Sequence, residues 1–255
     1  MAEIKPTVSD LPDGEQKAVF TEGSTMRHVV NMTSTGAIGL VSIFRVDVVN
    51  LFYISLLGQQ ELAAAIGYAS TIMFFTVSLS IGFTIAATAI TARAIGAGDE
   101  AAAKRRAASS LIYMLILSIV VVALIFPVLP ALLDMLGAKG ETKQISLTFM
   151  QIAIPSFPLL GLGMCLSGLL RARGDAKRAM YVTLSVGGAA LVLDPLFIFW
   201  LDLGINGAAI AIIFVRLFML FVGLYFAIRV HNLIGAPKFS SFKNNLKPFM
   251  LIGIP

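Results

Sequence analysis

Long apolar runs and short polar joins alternate along the chain. Residues 29–57, 63–92, 109–129, 145–170, 179–201 and 207–228 are six hydrophobic stretches bounded by charge, glycine or proline. Each is about twenty residues or longer, enough to cross a bilayer as a helix. None alternates apolar with polar positions, which argues against membrane strands. The pattern predicts an all-α membrane protein, a six-transmembrane-helix bundle. Residues 1–26 are polar and read as a disordered cytoplasmic tail with no signal-peptide core. Residues 231–247 are polar and basic and read as a linker between spans. A seventh span opens at Pro248 and reaches the last residue, Pro255, so the chain is expected to be truncated.

Composition strengthens this reading. The chain is 58% hydrophobic and 13% charged, with a mean hydropathy of +0.90; soluble domains are nearer half apolar and a quarter charged. The net charge of +5 does not point to nucleic acid, because the basic residues sit in the joins, where they set orientation. One side collects Arg27, Arg93, Lys104 to Arg106, Arg171 to Arg178 and Arg229, with Lys238 to Lys247 beyond; the other has Lys139 and Lys143. That asymmetry puts the N-terminus and the linker in the cytoplasm, and the cell (inner) membrane is the expected location. Cys165 is the single cysteine and has no disulfide partner. His28 and His231 lie at opposite ends of the set of spans and make no metal-ligand spacing. Gly96-Ala97-Gly98-Asp99 lacks the Lys-Ser/Thr of a phosphate loop and reads as a tight turn. No enzyme chemistry, metal or cofactor is read from the chain.

The polar groups inside the spans carry the functional signal. Asp194 and Pro195 stand in the fifth span, in Leu191-Val192-Leu193-Asp194-Pro195-Leu196. A carboxylate at that depth is costly and should face protein or water. The proline removes a backbone donor and opens the helix beside it. Counting along each helix puts Asp47 and Arg216 in one layer, about 15 Å from the outer ends of the first and sixth spans. Asn50 and Asp194 share a second layer, about 10 Å in. Asp47 and Asn50 project from one side of the first span, while Arg45 points elsewhere and has no assigned partner. Pro155 and Pro158 are expected to kink the fourth span. Gly161 to Gly168 offers small residues for close helix approach.

Four stretches resemble the multidrug and toxic compound extrusion (MATE) transporters, in order and spacing, from about residue 36 to 230. They are LLGQQELAAAIGYASTIMFF, ARAIGAGDEAAAKRRA, GLLRARGDAKRAM and LVLDPLFIFWLDLGINGAAIA. The resemblance implies two six-helix lobes about a central cavity, of which this chain is the N-terminal one. It also implies alternating-access exchange of H⁺ or Na⁺ for cationic or amphiphilic compounds. Asp194 falls on the family's acid of the fifth helix. The first-helix acid position is Asn50, with Asp47 one turn earlier, and Arg216 falls where members often have a basic residue. Two oxygen-bearing family positions are Ala190 and Ile212 here. Fewer oxygen ligands favour H⁺ over Na⁺. Expected partners are small amphiphilic substrates, membrane lipid, and a C-terminal lobe or second copy. A lipid-linked oligosaccharide flippase and a membrane scaffold subunit remain as alternatives.

Overall fold

The computed structural model describes residues 60–235, together with residues 33–39, Met26, Val30, Val41, Val48, Phe52 and Tyr53 of the first span. The 1–26 tail before Met26, the linker beyond Gly235 and the seventh span lie outside the described residues. Five described helices are long and apolar enough to cross a membrane: Glu61–Gly96, Glu100–Met135, Gly140–Ala172, Ala176–Trp200 and Gly204–Val230. They are the second to sixth spans, and no strand occurs among the described residues.

Every one of them is longer than its apolar run, because the helices continue into the polar margins. The third span starts at Glu100, where Asp99 caps it by accepting from the Ala102 amide at 2.7 Å. Lys104, Arg105 and Arg106, expected in a join, therefore sit inside a helix. The turn before it is tight as expected: Gly98 takes a φ of +74°, which a side chain would resist. The fifth span begins in the same way, with Asp175 accepting from the Arg178 amide at 2.9 Å.

Packing inside the bundle depends on small residues, since lipid removes most of the hydrophobic drive between helices. A Cβ placed on Gly161 would lie 2.6 Å from Ser118 Oγ of the third span. On Gly163 it would lie 2.9 Å from Met219 Sδ of the sixth, and on Gly168 2.5 Å from Thr88 Oγ1 of the second. The glycines of the fourth span thus let three neighbours approach a single helix. Buried alanines do the same on the second span, where Ala65, Ala69, Ala86 and Ala87 are almost wholly covered. Ser146 Oγ donates to the Ala65 carbonyl at 2.9 Å and fixes the second and fourth spans side by side. Cys165 is a free thiol buried in the same interior.

The kink of the fourth span has an identifiable chemistry. Pro155 and Pro158 cannot donate, so the carbonyls of Gln151 and Ile154 lose their usual helical partners. The chain tightens into a 3-10 turn at Ile154–Ser156, and the Phe157 amide turns to Ile154 O. Ala153 O is left without that amide. Ser156 Oγ donates to it at 2.7 Å, and Arg216 Nη1, from the sixth span, donates at 3.0 Å. The same Nη1 donates to Ser156 Oγ at 2.7 Å. A small cavity beside the guanidinium, with about 10 Å³ open to water centres, is lined by Met73, Thr76, Val77, Ile154 and Phe157.

Two stability measurements on the full-length protein test this packing. Gly168→Val should destabilise by about 1–3 kcal/mol, because Thr84 and Thr88 must move. A thermal midpoint equal to wild type would contradict it. Arg216→Met and Ser156→Ala should each destabilise, and a double-mutant cycle should show coupling of about 1 kcal/mol through the shared Ala153 carbonyl. Strict additivity would mean that the two do not act on one acceptor.

Candidate functional site

Asp194 lies on the interior side of the fifth span and is 3% exposed. Ala190 and Ile198, one turn before and after it, share its face and are also buried. Leu191 and Val192 point out of the bundle. Ile198 belongs to an apolar cluster with Ala69, Ile72, Ala208 and Ala209, against which Ile212 also packs. The two positions at which oxygen ligands were expected to be missing are therefore part of this apolar interior, one of them on Asp194's own face. The ion pairs among the described residues are Lys143–Asp134, Arg173–Glu100, Arg178–Asp175 and His231–Asp175. Neither Asp194 nor Arg216 takes part in any of them.

Pro195 shapes the backbone just beyond the acid. It is the last residue of the α-helical segment Ala176–Pro195, and the chain continues as a π-helical turn, Leu196–Trp200. Without a proline N–H, the Leu191 carbonyl has no donor four residues on. The wider turn ends with the Leu201 amide on Leu196 O at 3.0 Å. The sixth span meets this turn at backbone distance: a Cβ on Gly207 would sit 2.3 Å from Phe197 O. Phe197 and Phe214 stack nearby, ring centroids 5.3 Å apart. Between the same two spans lies an apolar cleft of about 430 Å³, lined by Gly188, Ala189, Val192, Leu193, Phe214 and Phe218 among others.

Arg216 is 6% exposed and is held by the kink of the fourth span. Its expected partner, Asp47, lies outside the described residues, as do Asn50 and Arg45. Two contacts nevertheless hold the first span to the fifth. A Cβ on Gly39 would lie 3.4 Å from Thr183 Cγ2, and Tyr53 packs edge-on to Phe199 with centroids 6.0 Å apart. Thr183 precedes Asp194 along the fifth span and Phe199 follows it, so the contacts bracket the acid. Sequence reasoning missed Ser156 and the Ala153 carbonyl as the partners of Arg216. The available signal was the proline pair, which frees carbonyls that a donor must then satisfy.

Comparison with known proteins bears on what this arrangement belongs to. The MatE family model matches residues 38–196. The multidrug export protein MepA of Staphylococcus aureus is 26% identical over 198 residues, 77% of this chain and 44% of that protein. The FAD transporter of Shewanella oneidensis is 30% identical over 219 residues, 84% of this chain and 48% of that protein. The chain thus spans less than half the length of these curated relatives. Among solved structures, a MOP superfamily transporter from Pyrococcus furiosus superimposes with a TM-score of 0.83 at 26% identity, over 91% of this chain and 52% of that one. An outward-facing multidrug resistance MATE family transporter gives the same TM-score, identity and coverage. With a buried acid beside a proline and a π-helical turn, a multi-pass helical bundle and a family match over most of its length, the chain belongs to the MatE family of membrane transporters.

Proposed function

We propose that this chain is the N-terminal lobe of a secondary antiporter that exports cationic or amphiphilic compounds in exchange for H⁺ by alternating access. The observation that carries the reading is Asp194: a carboxylate 3% exposed, in no ion pair among the described residues, on a face shared with Ala190 and Ile198. Charge in such surroundings is expensive, and taking up a proton removes it. A sodium ion would need several oxygen ligands, and the side chains of Ala190 and Ile212 supply none. Asp47 and Asn50, which fall between Gly39 and Tyr53 in the sequence, are proposed to complete the site from the first span. Pro195 and the π-turn after it supply a backbone that can change hydrogen-bond register as the acid changes charge. Arg216 supports the site by holding the fourth-span kink.

In the working protein a second six-span lobe, or a second copy of this one, would close the cavity. The N-terminus is proposed to be cytoplasmic, because the basic ends of the second to sixth spans gather at one end of the bundle. The name of the Shewanella oneidensis relative favours a second substrate reading, a flavin dinucleotide in place of an organic cation.

Three transport measurements on the full-length protein in vesicles separate these readings. Asp194→Asn should abolish efflux driven by a pH gradient, and undiminished extrusion would sink the assignment. Replacing Na⁺ by choline at a fixed pH gradient should leave the rate unchanged; a collapse would make sodium the coupling ion. Ethidium and FAD offered as competing substrates should show preference for the cation, and preference for FAD would select the second reading.

A further inference from the structure

The polypeptide leaving the sixth span does not run straight out of the bundle. The span ends in a π-helical turn, Phe226–Val230, and Asn232, with a φ of +44°, reverses the chain. The Leu233 amide then donates back to Ala227 O at 2.8 Å, and the Gly235 amide donates to Lys104 O of the third span at 3.4 Å. The Leu233 side chain is buried in an apolar cluster that includes Phe83, Ala107 and Leu169. His231 Nε2 lies 2.8 Å from Asp175 Oδ2, and their side chains are 12% and 16% exposed.

Asp175 is the N-cap of the Asp194-bearing span, and its two oxygens divide the work. Oδ1 accepts from the Arg178 amide at 2.9 Å, while Oδ2 accepts from Arg178 Nη1 at 2.5 Å and from His231. A bond to a carboxylate requires the proton on Nε2. The contact of Arg178 Nη1 with Nε2 at 3.3 Å is therefore two donors converging on one acceptor. Burial pushes the Asp175 carboxyl up, but the Arg178 amide, His231 and the Arg178 guanidinium outweigh it and hold the group below its ordinary value. The stabilisation this brings is present above the ordinary carboxylate value and is lost as the pH falls below it, so it persists through neutral pH. The other charged groups at this end are Arg93 of the second span, Asp99 and Lys104 to Arg106 at the start of the third, the Glu100–Arg173 pair, Arg171 of the fourth, Lys177 of the fifth and Arg229 of the sixth.

We infer that His231 and Asp175 form a clasp joining the exit of the sixth span to the N-terminus of the fifth, so that movement of the fifth span is handed on to the exit segment His231 to Gly235. The clasp itself stands on the contacts above; its part in turnover rests on the transport reading. His231 is a positioning residue here, since it acts through Asp175 and touches no substrate.

Amide exchange and transport on the full-length protein test both halves. His231→Ala leaves the cap bond from Arg178 to Asp175 in place, so the fifth span keeps its start. The Leu233 and Gly235 amides should exchange about tenfold faster in this variant. Turnover of the transported compound should fall at unchanged KM. His231→Gln, whose side-chain amide still donates to Asp175, should restore protection and turnover together. Unchanged protection in His231→Ala would overturn the clasp, and lost protection with wild-type turnover would overturn its role in transmitting movement. Amide exchange needs neither substrate nor gradient, so a failed clasp and a failed antiport reading give different results.

Discussion

A backbone inside a membrane has no water to fall back on, and that constraint governs this bundle at the break in the fourth span. Two prolines three residues apart withdraw two donors and turn a third amide away from Ala153 O. In water the loss would be filled by solvent. In lipid, each unsatisfied group costs several kcal/mol, and here a serine from the same turn and an arginine from the sixth span fill it. The kink is therefore not a loosening of the fold. It is the place where the fourth and sixth spans are bonded to each other, and the burial of Arg216 follows from it.

The same constraint explains why Asp194 and Arg216, the charged groups described inside the spans, are treated differently. Arg216 has neutral oxygens within reach and uses a backbone carbonyl and a hydroxyl as acceptors. Asp194 shares a buried face with Ala190 and Ile198, and Pro195 and a π-turn follow it. One group is bonded into the scaffold by hydrogen bonds, and the other is buried on an apolar face. Around them, glycines and alanines set the helix spacing, since in lipid close contact replaces hydrophobic burial as the source of cohesion. At the basic end, Asp175 serves the fifth span as a cap and the sixth as an anchor.

Much of this was legible in the chain, for reasons that can be named. Asp194 stood out because an acid in an apolar run is rare for a physical cost that no context removes. Gly161 to Gly168 was legible as a close-approach surface, although which neighbour each glycine meets was not. The extent of the helices was underestimated, because hydropathy registers where a helix is apolar and not where its hydrogen bonding ends. Asp99 and Asp175 carried the missing information as caps, one residue before each helix. The expected pairing of Arg216 with Asp47 concerns a residue outside the described ones. The described partners are a carbonyl and a hydroxyl, which the proline spacing could have suggested.

The sequence by itself determined that the chain crosses a membrane several times as helices, which residues inside it are ionisable, and which carbonyls lose a helical donor to proline. Those properties are local: they depend on twenty-residue hydropathy, on side-chain type and on the missing N–H of proline. Only the tertiary structure decided which helix satisfies the broken carbonyl, which face Asp194 turns inward, and that His231 reaches back 56 positions to Asp175. Those are pairings across the bundle. They are chosen by the geometry in which every buried donor and acceptor finds a partner at once, and no single stretch of sequence contains it.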